Sequence, residues 1–251
     1  MIPINVKHFE LITIFPRSLD SYFGTSILKR AQAKKLIKIT AHDLRKWTRD
    51  KHRKTDDKPY GGGAGMVMLA EPILRALSSL KALNNESRIT NKGRKLKYRP
   101  KSQIRYSRFK IRTVLLAANG KQFTQRDATR LAKYDQLVFI CGRYEGVDAR
   151  VEKFIDEKLS VGPYVVTGGE LPAAIIVDAV SRLIKGVVGK QESVEHESFS
   201  AISHSPLANS YLEHPHYTRP EVLVWKGKKY HVPKVLLKGH HKKISDWRAK
   251  K

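Results

Sequence analysis

Two glycine-bearing segments carry most of the chemistry this sequence offers. The first is Gly142-Arg143-Tyr144-Glu145-Gly146-Val147-Asp148, which continues a strand-like run, Gln136–Cys141. The second runs from Ser160-Val161-Gly162-Pro163-Tyr164-Val165-Val166 into Thr167-Gly168-Gly169-Glu170-Leu171-Pro172. Glycines at strand ends let main chain approach a ligand closely. Few charges lie between Leu159 and Gly169. That suits a neutral, adenosine-like ligand held by main-chain groups better than a phosphate cradle with a P-loop lysine. A third cluster, Asp56-Asp57-Lys58-Pro59-Tyr60-Gly61-Gly62-Gly63-Ala64-Gly65, reads as a functional loop. The single cysteine, Cys141, ends an apolar strand and reads as core rather than nucleophile. The scattered histidines His214, His216, His240 and His241 have no metal-ligand spacing.

Alternating strands and helices must position these segments. Val6–Phe15 alternates as a strand. Leu19–Lys35 is predicted helical, with Leu19, Phe23, Ile27 and Ala31 recurring every fourth residue. Leu36–Ala41 is a second strand, and Glu71–Leu83 a helix with Pro72 in its tolerant first turn. Thr113–Ala117 and Gln136–Cys141 read as strands. Thr124–Lys133, Asp148–Ile155 and Glu170–Ile184 read as helices. The alternation predicts an α/β fold with a mostly parallel sheet and helices on both faces. Residues 1–189 are read as one domain, 190–205 as a polar linker, and 206–251 as a small basic module. Within that module, His214–Pro220 holds too much proline for a regular element.

Charge names the class of partner. Lys and Arg number 49 against 23 Asp and Glu, for a formal net charge of +26. Cations that neutralise phosphates release condensed counterions, so a polyanion is the physical reading. The alternative is a solvated basic surface. The residues from Asn84 to Arg112 set eleven Lys and Arg against one acid, Glu86, with Tyr98, Tyr106 and Phe109 interleaved. They read as an inserted basic arm that contacts RNA, or as a linker without a role. A membrane surface fits less well, because no long amphipathic basic helix is present. No apolar run is long enough to span a bilayer, and a strand pattern begins almost at the N-terminus. A soluble, cytoplasmic protein is expected.

Four blocks then carry a resemblance. They are Asp56–Gly63, Cys141-Gly142-Arg143-Tyr144-Glu145-Gly146, Thr167-Gly168-Gly169-Glu170-Leu171-Pro172 and Pro215-His216-Tyr217-Thr218-Arg219-Pro220-Glu221. In this order they resemble the signature blocks of the bacterial tRNA (guanine-N1)-methyltransferases, of the SPOUT class. The resemblance implies a deep trefoil knot, which general topology argues against, and a small, mainly helical C-terminal domain that binds tRNA. It implies S-adenosylmethionine bound in a bent form, a homodimer whose active site spans the interface, and methylation of the guanosine at tRNA position 37 when a guanosine precedes it. By position it assigns cofactor contact to Leu115 and Leu116, then to Gly142, Tyr144 and Glu145 in the first loop. In the second loop it assigns Val161, Gly162, Pro163, Tyr164, Val165 and Val166, followed by Gly168, Gly169 and Pro172. Contact with tRNA falls on Asp56, Arg143, His216, Tyr217 and Arg219.

The reaction so implied needs a base and a cation. Guanine N1 carries a proton at neutral pH, so a general base helps, typically by ~10²–10⁴-fold. Negative charge then builds on the neighbouring carbonyl oxygen, where a fixed cation acts most in the transition state. The resemblance places the cation at Arg182 and the base at Glu197, where the family usually has aspartate. Arg182 would otherwise read as a solvent-facing helix cation, and Glu197 as one of several linker acids with Glu192 and Glu195. Ala64, Ala118 and Pro163 are further departures from the family pattern. Two other readings stay open: a knotted methyltransferase of another RNA, and a non-catalytic RNA-binding protein. The block order speaks against the first, and the retained linker carboxylate against the second.

Overall fold

A computed structural model describes residues 6–90, 109–189, 198–199 and 214–249, with the backbone alone for 81–90 and 249. Strand β1 (Lys7–Thr13) leads through α1 (Asp20–Phe23) and α2 (Ser26–Ala33) to β2 (Ile37–Asp43). Two short strands, β3 (Asp56–Asp57) and β4 (Val67–Met68), pair as an antiparallel ribbon ahead of the long helix α3 (Ala70–Thr90). Then follow β5 (Ile111–Gln122), α4 (Gln125–Ala132), β6 (Gln136–Cys141), β7 (Glu157–Ser160) and α5 (Glu170–Arg182).

The five longer strands order as β2-β1-β6-β5-β7, and each neighbouring pair is parallel. A strand with helices on both faces is buried on both, so it reads as a continuous apolar run. β6 does so, and all six of its residues are buried. On one face Phe9, Leu11, Leu137 and Phe139 pack with Leu131 of α4 and Ile176, Val177 and Val180 of α5. On the other, Ile12, Leu115, Val138 and Ile140 pack with Ile73, Ala76 and Leu77 of α3.

The expected α/β class and parallel sheet are present, with local differences that have physical reasons. The helix expected over Leu19–Lys35 breaks at Gly24-Thr25, where Thr25 is extended and Ser26 takes a φ of 49°. The break advances the buried stripe by one residue, so Leu28 rather than Ile27 is buried beside Ala31. α3 runs past Leu83 to Thr90, into the stretch read as the start of the arm. Asp148–Ile155 forms a 3-10 turn, Ala149–Phe154, opened by Asp148 accepting from the Arg150 N–H at 2.9 Å. β7 was not anticipated, because Glu157-Lys158-Leu159-Ser160 carries only one apolar residue. Its Glu157 is instead satisfied by Arg112 at 2.8 Å and Arg130 at 2.7 Å.

The chain divides into two compact units, Met1–Gln191 and Glu192–Lys251. The second unit contains an antiparallel hairpin of β8 (Val222–Trp225) and β9 (Lys228–His231), which sequence reading missed. Lys226 and Gly227 close it with φ values of 49° and 75°, the pattern of a tight hairpin turn whose twist matches its strands. Helices Lys234–Leu237 and His241–Ala249 follow. Trp247 brings its ring within 6.0 Å of His214 and 6.4 Å of Tyr217. No helix among the described residues is long and apolar enough to cross a membrane.

Candidate active site

Parallel strands place their carboxyl ends on one edge, where ligands of α/β sheets usually bind. Here the ends of β5, β6 and β7 enclose a cavity of about 390 Å³, within the size range of small-molecule sites. Leu115 and Leu116 enter it from β5, and Gly142, Tyr144 and Glu145 from the loop after β6. Val161, Tyr164, Val165, Val166, Gly168, Gly169 and Pro172 close it from the far side. Gly162 and Pro163 belong to the same loop and do not line the cavity. Ala117, Ala118, Asn119, Glu152 and Lys158 also line it and were missed. The available signal was that a strand's last residues and their continuation face the edge its loop builds.

Each loop is held by named contacts. The loop after β6 is stitched to β4: Glu145 N–H donates to Met66 O at 3.0 Å, Met68 N–H to Gly146 O at 2.9 Å, and Asp148 N–H to Met68 O at 3.0 Å. This stitching bends the chain sharply, and Tyr144 sits at a φ of 57°. That left-handed conformation is uncommon for an aromatic residue and stores strain of the kind found at functional sites. The second loop crosses directly over the end of β6, where Gly169 N–H donates to Gly142 O at 2.8 Å. A Cβ at Gly169 would lie 2.6 Å from Cys141 Cα, and one at Gly168 would lie 2.2 Å from Arg143 Nε. At Gly169 the obstruction is main chain, so only glycine permits that crossing.

A buried clasp ties the loops to the sheet. Arg143 bonds Glu170 through Nε at 2.9 Å, and its Nη1 donates to Thr167 O at 3.3 Å. Its guanidinium lies 4.6 Å from the centroid of the Phe15 ring. Glu170, in the first turn of α5, is buried and also accepts from Thr13 Oγ1 at 2.5 Å. The carboxylate already occupies the positive end of that helix, which leaves little there for a phosphate. Lys158 is likewise engaged, by Glu152 at 2.8 Å. The walls thus offer main chain, apolar side chains and carboxylates, with the two cations paired. Burial, then the nearby Glu170, pushes the Cys141 thiol well up, so it stays protonated and inert in the core.

Of the remaining candidates, Arg182 and Asp56 belong to the first unit and do not line the cavity. Arg182 is half-buried in the last turn of α5 and does not line the cavity. At ~1.5 Å per residue it lies roughly 15 Å along the helix from Pro172. Asp56 pairs in register with Met68, the residue that anchors the Glu145–Asp148 loop, so the Asp56 ribbon continues into the cavity wall. Beyond it Tyr60 is fully exposed beside Gly61, Gly62 and Gly63, whose φ values of 84°, 80° and 116° require glycine. His216, Tyr217 and Arg219 belong to the second unit, where the His216 ring stands 4.5 Å from that of His214. Glu197, with Glu192, Glu195 and the rest of 190–197, lies outside the described residues, as does 91–108 of the basic arm. Among the described residues no group of three or more His, Cys, Asp or Glu is placed to hold a metal ion.

The family model described as tRNA (Guanine-1)-methyltransferase TrmD matches residues 7–251. The tRNA (guanine-N(1)-)-methyltransferase of Chloroflexus aurantiacus is 43% identical over 241 residues, 96% of this chain and 81% of that protein. The proteins of the same name from Shouchella clausii and Dictyoglomus turgidum are each 43% identical, over 95% and 96% of this chain and 84% and 83% of their own lengths. With a glycine-lined cavity at the strand ends and a match across both units, this chain belongs to the tRNA (guanine-1)-methyltransferase TrmD family.

Proposed function

We propose that this protein transfers a methyl group from S-adenosylmethionine to N1 of guanosine in tRNA, at position 37 beside the anticodon. The observation that carries the reading is the cavity at the ends of β5, β6 and β7, in a chain of this family. The residues fit the donor. Leu115, Leu116, Val161 and Pro172 supply apolar walls for an adenosine, and the Gly142 and Gly168-Gly169 segments bring main chain close. Glu145 puts a carboxylate on the wall, which suits an ammonium or sulfonium cation and disfavours a nucleotide phosphate. When bound, the donor supplies an electrophilic methyl on sulfur. Glu197 takes the N1 proton of guanine, and Arg182 meets the charge that grows on the neighbouring oxygen.

A homodimer completes this site. Two features support it: Arg182 stands well away from the cavity of its own chain, and one face exposes large apolar side chains. On that face Leu171 and Ile175 of α5 are 58% and 47% exposed, and Tyr22, tied by its hydroxyl to Asp178 of α5, is 49% exposed. We read the crossing of 161–169 over β6 as part of a trefoil knot. The tight approach of Gly169 to the Cys141 backbone supports this. Asp56, Arg143, His216, Tyr217 and Arg219 are assigned to tRNA, although Arg143 must first leave Glu170. Residues 206–251 serve as a tRNA-binding domain, joined by the linker at 190–205. A tRNA substrate places the protein in the cytoplasm.

The test is labelled methyl transfer from S-adenosylmethionine to unmodified tRNA, followed by nucleoside analysis. The expected product is 1-methylguanosine. Label in another nucleoside would select the reading in which a different RNA position is modified, and binding without transfer would select a non-catalytic protein.

A further inference from the structure

The hairpin of the second unit has no part in the catalytic assignment, yet its surface is built for contact. A two-stranded ribbon is marginal in water unless one face is covered. Here most of both strands is exposed. The register pairs Leu223 with Tyr230 and Trp225 with Lys228, and alternation puts these four side chains on one face. Leu223, Trp225 and Tyr230 are 53%, 62% and 53% exposed. Side by side on one face, they form a contiguous exposed apolar patch of the kind that marks interaction sites.

Charge selects the occupant. Between Arg219 and His231 the hairpin carries Lys226, Lys228 and Lys229 against one acid, Glu221. Residues 214–249 hold nine Lys and Arg against two acids, Glu221 and Asp246. An aromatic platform framed by cations is the composition that binds unpaired nucleotides, with rings stacking on bases and cations tracking phosphates. We propose that this face of the hairpin docks tRNA: Trp225 and Tyr230 stack on bases of a loop, while Lys228 on the same face and Lys226 at the turn neutralise the flanking backbone. The proposal rests on the tRNA reading above and adds a contact surface distinct from His216, Tyr217 and Arg219.

The two kinds of contact separate by salt dependence. Trp225→Ala and Tyr230→Ala are each expected to weaken tRNA binding by about 10- to 100-fold with the salt slope unchanged. Trp225→Phe, which keeps a stacking ring, retains most of the affinity. Replacing Lys226 and Lys228 together with serine lowers the slope of log K against log salt by about 1.5. In all variants the heat of S-adenosylmethionine binding and kcat at saturating tRNA stay at the parent values. If the parent chain does not bind tRNA, the tRNA reading fails and this one with it. If the parent methylates tRNA while the aromatic variants bind it equally well, the hairpin assignment alone is overturned. A fall in melting temperature or loss of the dimer in Trp225→Ala, with tRNA affinity intact, gives the face to protein packing and also overturns it.

Discussion

Among single side chains, the proposed base can be told from those that hold the loops. Glu197→Gln keeps size and polarity but cannot accept a proton. Turnover on tRNA is expected to fall about two to four orders of magnitude with both ligands still bound. Glu192→Gln and Glu195→Gln do much less, and Glu197→Asp retains substantial activity. Single-turnover rates beside calorimetric affinities check this, and a dead Glu195→Gln beside an active Glu197→Gln would move the base by register. Arg143 holds. Its removal as Arg143→Met leaves the Glu170 carboxylate buried without its cation, expected to cost about 3–5 kcal/mol of stability. Glu170→Gln costs less, because the Arg143 side chain is 22% exposed and the Glu170 side chain only 4%. Urea midpoints of the two single variants and the double variant measure this, with a double-variant loss well below the sum. Sequence showed that Arg143 and Glu170 belonged to notable blocks. It could not show that they meet, because Thr13, Arg143 and Glu170 are brought together only by the sheet.

Elements were readable where periodicity or a cap announced them. β6 is found over the residues its apolar run predicts, and α4 differs from its predicted span only at the ends. The cap of α4 also sets a pH dependence. Burial raises the Asp127 pKa, but hydrogen bonds from Lys121, Arg130 and Thr124 outweigh it and hold the carboxyl at about 2. A carboxyl held below its unfolded value stabilises fully above about pH 4 and loses that contribution as pH falls toward 2. Asp127→Asn is therefore expected to cost about 1–2 kcal/mol near neutrality, the value discounted because Lys121 and Arg130 stand partly in water. Melting curves of parent and variant should converge as pH approaches 2; a gap that persists there would mean packing rather than charge. Elements lacking such signals were missed. β7 is polar and relies on arginines from β5 and α4, and the hairpin closes on Lys226-Gly227 instead of the stronger Asn-Gly signal.

At the scale of the molecule, the proposed active site is more than one chain supplies, and that is testable without a new structure. Dimers mixed from Arg182→Ala and Glu197→Gln subunits should recover part of the parent turnover if the two residues of one site come from different chains. In such a mixture, one of the two sites is intact. Each homodimer alone stays inactive, and mixing without recovery places both residues on the same chain. The cavity walls have a consequence for the protein's lifetime as well. They are drawn from 115–119, 142–147, Glu152, 158–161, 164–169 and Pro172, segments that adjoin only once the sheet has assembled. A donor lodged there binds the folded chain and not the unfolded one. At a hundred times its dissociation constant it adds about 2.7 kcal/mol to folding. The unfolded fraction, which proteases remove, then shrinks by about two orders of magnitude. With the proposed donor in this cavity, cellular abundance of the protein is expected to follow methyl-donor supply; an unchanged half-life in donor-starved cells would separate the two.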